Sequence, residues 1–165
     1  MNGQQMLNTV RGLLQPRLFT NYPQMLPKLG PYLPDREAPA ARPGQKPPDK
    51  WRVYCGEGRF DEQKRNALFR RQTDIGLNFQ IEGRKAGADS TIQSFEICVV
   101  WPDGWRLMFH RDPSRACWPQ HPEHHMQFQA PRPPKAEPPP FHSWRPPLAE
   151  TAPEKLLEYI LAHTG

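Results

Sequence analysis

The chain has 165 residues, of which 36% are hydrophobic and 10% aromatic; 22 residues are proline, and the net charge is +5. This length suffices for one domain with a buried core, while the proline content predicts much irregular or extended backbone. The aromatic share argues against a wholly disordered chain, and the lack of an apolar run of about 18 residues excludes a membrane-spanning helix.

Positive charge is concentrated in the first 72 residues. Residues 1–50 carry 7 basic and 3 acidic side chains, residues 51–72 carry 6 and 3, and residues 73–165 carry 9 and 11. This asymmetry favours a polyanionic partner such as nucleic acid, although the same charges also serve solubility.

The cysteines and the N-terminus together predict a cellular compartment. Cys55, Cys98 and Cys117 are far apart and form no CxxC pair, and the N-terminal sequence lacks the apolar core of a signal peptide. An odd number of cysteines without a secretory signal is typical of a reduced, cytoplasmic protein. We therefore expect a cytoplasmic protein with no membrane attachment. The sequence contains no P-loop, GxGxxG, GxSxG or HExxH motif, so we expect no small-molecule cofactor.

Residues 1–50 are predicted to form a proline-rich helix and wrap. Apolar residues recur at helical spacing over residues 3–14, and Pro16 ends that helix. Residues 16–50 contain nine prolines, but apolar side chains persist as far as Leu33. We expect this piece to cover a core or dock on a protein partner, and residues 35–50 to be a linker.

Residues 51–165 are predicted to form the core domain. We expect a strand in 51–60, a helix in 61–72 and, from alternating apolar residues, a three-stranded antiparallel meander over 75–112. Alternating residues also predict a fourth strand at 124–130.

The C-terminal helix is predicted from its cap. Thr151 and Glu154 fit a capping box, and Pro153 suits the first helical turn. The sequence therefore predicts an α+β fold in which an antiparallel sheet of four or five strands packs with two or three helices, belted by proline-rich segments.

A histidine-rich crossover connects the last two predicted strands. It contains Asp112, Cys117, His121 and the pair His124 and His125, with His110 just before it. Zinc requires three or four converging ligands, but Pro119 and Pro122 interrupt a helix here, and no second ligand pair occurs elsewhere. These features disfavour zinc without closing that alternative, and the others are a metal held by Asp112 with histidines, a Cys117 nucleophile, and histidines that only fix the crossover.

Acid–base chemistry is a further alternative for this segment. Histidine titrates near neutrality, so His121 and His125 with Asp112 could move protons in a metal-independent ribonuclease. Arg111 could then bind the phosphate through two hydrogen bonds. If the protein is an enzyme, its catalytic residues are therefore expected to be His121, His125, Asp112 and Arg111.

A basic group precedes and spans the predicted helix in 61–72. Trp51, Tyr54 and Phe60 are interleaved with it, which suits phosphate contact combined with base stacking. The alternative is a solvated helix face. The group comprises Arg52, Arg59, Lys64, Arg65, Arg70 and Arg71.

The C-terminal half resembles an uncharacterised prokaryotic domain family. The matching positions are Arg111 and Asp112 after a strand, then His121-Pro122, His125 and Gln127, Arg132-Pro133, and the helix from Pro153. The resemblance covers about 60 residues and implies a setting among mobile-element, toxin–antitoxin or antiphage defence loci. It implies no mechanism.

We therefore expect a small accessory subunit of a prokaryotic defence or mobile-element system. Its basic N-terminal part would contact nucleic acid, and its proline-rich wrap would dock on a protein. The alternatives are a ribonuclease-like toxin and a pure protein-interaction module.

Overall fold

The fold is a single antiparallel sheet with two helices on one face. The computed structural model describes residues 1–17, 27–31, 50–55, 67–68, 75–86, 89–118, 120–131 and 145–164. The helices are α1 (Gly3–Leu14) and α2 (Pro153–Thr164). The strands are β1 (Lys28–Pro31), β2 (Lys50–Cys55), β3 (Ala67–Leu68), β4 (Gly76–Ala86), β5 (Asp89–Val100), β6 (Arg106–Arg111) and β7 (His124–Gln129).

Six strands follow one another across the sheet in the order β1-β2-β4-β5-β6-β7, and all neighbours are antiparallel. The short strand β3 pairs with β4 beyond the end of β2. The α+β class, the meander over β4, β5 and β6, and the fourth strand predicted at 124–130, which is β7, are confirmed. The expected count of four or five strands is too low, because β1 and β3 become strands only through pairing with distant segments.

The helix predicted over 61–72 is wrong at Ala67 and Leu68. These residues form β3 and pair with Leu77 and Gly76 of β4. Pairing with β4 satisfies the extended backbone there and overrides local helix propensity. The rest of that prediction lies outside the described residues.

Helix α1 begins as its sequence predicts. The Asn2 side chain accepts a hydrogen bond from the Gln5 amide, and the Gln5 side chain accepts one from the Asn2 amide. This reciprocal cap satisfies two backbone donors that the first turn leaves without helical partners.

Helix α2 also forms where expected, but not with the predicted cap. It begins at Pro153, and the Ala152 carbonyl accepts from the amides of Lys155 and Leu156. The Thr151 hydroxyl instead donates to the Ala149 carbonyl at 3.0 Å. The capping box of Thr151 with Glu154 is therefore wrong, while proline in the first turn is confirmed.

The core lies between the helices and one face of the sheet. Alternate residues of each strand point to that face, so their apolar side chains meet the apolar stripes of α1 and α2. Its fully buried members include Met6, Val10, Leu14, Val53, Leu77, Ile81, Ile97 and Leu157. Helix α1 and strand β1, both from the first 50 residues, thus share one core and one sheet with the remaining described chain.

Two glycines allow close approaches that shape the sheet. A Cβ on Gly83 would lie 2.1 Å from the Trp51 ring, so only glycine lets Trp51 lie across β4. Gly104 has φ of 89° in the predicted turn between β5 and β6, a conformation that favours glycine.

Within the described residues, neither α1 nor α2 has the length and apolar character needed to cross a membrane.

Candidate functional site

The sheet face opposite the helices is polar. Strand alternation places there the residues between the core positions, including Arg52, Gln80, Glu82, Ser94, Glu96, His110, His125 and Gln127. His125 and Gln127 are nevertheless buried, and His125 is only 1% exposed. Polar side chains removed from water must be hydrogen-bonded or neutral. Because buried ionisable groups of this kind often belong to functional sites, this face is the candidate site.

A histidine cluster, consisting of His110, His121 and His125, lies on this polar face. The rings of His110 and His125 stack with centroids 4.9 Å apart and an interplanar angle of 7°. The His121 ring meets His125 edge-on, with centroids 4.5 Å apart.

The register of two strands and one tight loop positions the histidine cluster. His110 on β6 is the direct partner of His125 on β7. Cys117 and His121 exchange two backbone hydrogen bonds of 2.7 and 2.6 Å, which turns the crossover (residues 112–123) back toward the sheet. His125 Nδ1 lies 2.8 Å from the Pro122 carbonyl oxygen, and because a carbonyl only accepts, Nδ1 carries the proton.

Burial and mutual contact favour the neutral form of His110 and His125. Burial, followed by the neighbouring His125, lowers the pKa of His110 to about 4. Burial is also the main cause that lowers the pKa of His125, while the hydrogen bond to the Pro122 carbonyl opposes the shift. A neutral imidazole can act as a base or a hydrogen-bond donor, but it does not attract phosphate by charge.

Charged groups surround the histidine cluster on several sides. Asp112 favours and Arg145 disfavours protonation of both His110 and His125. Glu96 on β5 lies 3.7 Å from His110 Nδ1, which is beyond hydrogen-bond distance. The Asp112 side chain accepts from the Ser114 hydroxyl at 2.6 Å.

Arg111 does not join the histidine cluster. It follows Phe109 by two residues and therefore projects from the same face of β6 as the core. Its Nε donates to Glu123 at 2.9 Å, and its Nη1 donates to the Ile92 carbonyl. Of the four predicted catalytic residues, the structure thus brings together His121, His125 and, electrostatically, Asp112, and it places Arg111 elsewhere.

The contacts within the histidine cluster limit its chemistry. The rings touch one another, so no substrate atom lies between His121 and His125. Two imidazole nitrogens, His110 Nε2 and His121 Nδ1, are buried and have no hydrogen-bond partner in the part of the chain that the structure describes. Among the described residues there is no group of three or more histidine, cysteine, aspartate or glutamate side chains arranged to hold a metal ion. Cys117 is exposed, and its Sγ lies 3.8 Å from Gln120 Oε1.

The predicted basic group is described only at Arg52. That side chain is 8% exposed, its guanidinium lies 4.4 Å from the centre of the Tyr54 ring, and its Nη1 donates to Gln80 at 3.4 Å. Arg52 is thus packed along the polar face instead of being presented to solvent. The other five members, Arg59, Lys64, Arg65, Arg70 and Arg71, lie outside the described residues.

Basic charge is nevertheless unevenly distributed along the sequence. The basic N-terminal part, defined as residues 1–72, carries 13 basic and 6 acidic side chains. The C-terminal residues 145–164 carry Glu150, Glu154 and Glu158 against Arg145 and Lys155.

Sequence reasoning missed His110 and Arg145 as neighbours of His125. His110 reaches His125 only through the β6–β7 register, which one sequence does not specify. Arg145 belongs to the segment 145–148, whose Pro146 carbonyl accepts from the Met126 amide and whose Leu148 amide donates to the His124 carbonyl. No local pattern indicates that pairing.

Comparisons of the chain with protein-family models, with curated proteins and with solved structures give no match.

Proposed function

We propose that the protein is a small accessory subunit that associates with nucleic acid through its basic N-terminal part and docks on a protein partner. The observation that carries the proposal is the uneven charge of the sequence: residues 1–72 carry 13 basic and 6 acidic side chains, whereas residues 73–165 carry 9 and 11. The prokaryotic defence or mobile-element setting rests on the family resemblance of the C-terminal half.

The charge segregation supports a polyanionic partner more directly than the net charge does. α1 packs beside α2 in the core, and the two helices carry opposite net charge: Arg11 gives α1 a charge of +1, whereas Glu154, Lys155 and Glu158 give α2 a charge of −1. A field of this kind steers a polyanion toward one side of the molecule and away from the other.

Salt-dependent binding tests the proposal. Fluorescence anisotropy would follow labelled RNA and DNA, single-stranded and duplex, across a series of salt concentrations. We expect affinity to fall steeply with salt, because basic side chains that bind phosphates release counterions. Binding that is absent, or that does not respond to salt, would refute the nucleic-acid association.

Matched charge reversals locate the binding side. Arg17→Glu in the basic N-terminal part and Lys64→Glu in the predicted basic group should each weaken binding and lower the salt slope by about 1. Lys155→Glu on α2 changes the charge equally and is the control. Equal loss in all three variants would show that only total charge matters.

A metal-independent ribonuclease is the second candidate, favoured by the contact between His121 and His125 near Asp112. Cleavage of labelled RNA in the presence of a chelator, lost in His121→Gln, would support it. Binding without turnover would exclude it. A protein that binds a protein partner but no nucleic acid would instead be a pure interaction module.

A further inference from the structure

One end of the sheet brings together an exposed aromatic side chain and exposed basic ones. The last pair of the β6–β7 ladder is Arg111 with His124. Across the sheet, Arg111 pairs with Phe95 on β5, which pairs with Ile81 on β4. The crossover leaves the sheet beyond this point. The β4–β5 hairpin continues past the same point, where residues 83–86 pair with 89–92.

Arg111 fixes the crossover and the hairpin relative to each other. Its Nη1 donates to the Ile92 carbonyl in the hairpin, and its Nε donates to Glu123 at the end of the crossover. The Asp112 amide also donates to the Glu123 carbonyl at 2.9 Å. The two projecting segments are therefore held side by side.

Trp118 is at the tip of the crossover. Its side chain is 73% exposed, which is the largest exposure among the large hydrophobic side chains of the described residues. The loop that carries it is closed by the two backbone bonds between Cys117 and His121, and the His121 ring is braced against His125. A loop that is closed in advance loses little backbone entropy when the aromatic ring it carries stacks on a ligand.

The hairpin contributes the positive charge. Arg84 and Lys85 are both exposed, and Lys50 at the start of β2 is the strand partner of Arg84. Strands β4 and β6 are two strand spacings apart, about 10 Å. The hairpin and the crossover therefore leave neighbouring parts of this end of the sheet. Basic side chains combined with an exposed aromatic ring are the general design of surfaces that bind single-stranded nucleic acid.

We propose that this end of the sheet binds unpaired nucleic acid, with Trp118 stacking on a base and with Arg84 and Lys85 contacting phosphates. The proposal rests on the nucleic-acid association of the proposed function. It adds a contact site that lies outside the basic N-terminal part and adjoins it at Lys50, the strand partner of Arg84, and it names a strand type. A base paired in a duplex is already stacked on both faces, so a projecting indole selects unpaired strands.

The surroundings of Trp118 disfavour a protein partner at this site. The exposed residues next to it in the crossover, Ala116, Cys117 and Gln120, are small or polar. The core of a protein interface needs a contiguous buried patch with aromatic and aliphatic residues, and a single indole does not provide one.

Binding of a fluorescein-labelled 15-nucleotide oligothymidylate, compared with a blunt duplex of equal length, tests the site. We expect Trp118→Ala to weaken oligothymidylate binding about tenfold or more without changing the salt slope. Trp118→Phe should restore most of the affinity. Lys85→Glu should weaken binding and lower the slope by about 1.

Trp105→Ala and Lys155→Glu are the matched controls. Trp105 is 38% exposed but lies at the opposite end of the sheet, next to the β5–β6 turn, and Lys155 lies on α2. Both variants should bind oligothymidylate as the wild type does. Circular dichroism at the assay temperature confirms that each variant is folded.

The outcomes separate the site from the proposed function. If the wild type binds in a salt-dependent way but Trp118→Ala and Lys85→Glu bind equally well, nucleic-acid association stands and this site is overturned. Equal affinity for the duplex overturns the preference for unpaired strands. If the wild type binds neither probe at any salt concentration, the proposed function fails and the site fails with it. Loss of a protein contact in Trp118→Ala, without loss of oligothymidylate binding, reassigns Trp118 to a protein partner.

Discussion

The two faces of the sheet are both buried at their centres, but they respond differently to solvent conditions. Ile97 and Cys98 are neighbours on β5, point to opposite faces, and are both 0% exposed. Around Ile97 the contacts are aliphatic and aromatic, with α1 and α2 above. On the side of Cys98 lie Glu96, His110 and His125, with Arg106 close enough to affect the thiol electrostatically.

The difference shows how one sheet can separate stability from chemistry. Burial of apolar surface is indifferent to pH, so the helix-covered face stabilises the fold under all mild conditions. The polar face stabilises only while its groups keep the protonation states that burial imposes. Burial, for example, raises the pKa of the Cys98 thiol to about 12, so that it stays protonated.

Ile97→Ala should have the largest effect, because it removes a fully buried side chain from the centre of the apolar face. We expect a loss of about 4 kcal/mol of unfolding free energy, from lost burial plus the cavity that remains. Denaturant unfolding at pH 7.5 and at pH 5 measures it. The loss should be the same at both values.

Cys98→Ala is the control for Ile97→Ala, on the same strand and with equal burial. It removes one sulfur atom, so its cost should be about 1 kcal/mol. A Cys98→Ala variant as damaged as Ile97→Ala would mean that the polar face contributes a packed core of its own.

Acidification should lower the unfolding free energy through the polar face, by somewhat less than Ile97→Ala does. An unfolded histidine binds a proton below about pH 6.5, whereas folded His110 stays neutral down to about 4. The unfolded state therefore binds more protons between these values, so unfolding free energy falls as pH falls from about 6.5 to 4. His110 alone accounts for about 3 kcal/mol, and the lowered pKa of His125 acts in the same direction.

His110→Phe separates this contribution from the carboxylates that also titrate. The ring keeps its place beside His125 but cannot bind a proton, so unfolding free energy should depend less on pH than in the wild type. His163→Gln in the exposed last turn of α2 is the control. Identical pH profiles for the wild type and His110→Phe would contradict the assignment to the histidine cluster.

The sequence predicted the apolar face better than the polar one. The spacing of Leu77, Phe79 and Ile81 is local, and so are the apolar stripes of the helices, which explains why the meander, β7, α1 and α2 form where expected. Strand β3 is two residues long and depends on a partner in β4, so no local pattern reveals it.

The positions of the site residues were predictable only where the alternation of side chains along a strand determines them. Arg111 shares the face of Phe109 by strict alternation, so its separation from His125 could have been predicted from the sequence. The contact between His110 and His125 could not, because it depends on the β6–β7 register. The contribution of Arg145 depends on a segment that reaches β7 from far along the chain.

Ser94→Ala should have the smallest effect on unfolding free energy. It removes one hydrogen bond from the ladder of polar side chains formed by Gln80, Glu82 and Ser94 on the polar face. The Ser94 hydroxyl donates to Glu82 Oε2 at 3.0 Å, and Gln80 Nε2 donates to Glu82 Oε1 at 2.6 Å. Removing one donor from a half-buried carboxylate should cost about 1 kcal/mol. Thr91→Val on the same strand removes a hydroxyl that accepts from Gln93 at an exposed position, and it should change stability by less than about 0.5 kcal/mol. A loss in Ser94→Ala no larger than in Thr91→Val would show that water replaces the hydrogen bond from Ser94 to Glu82.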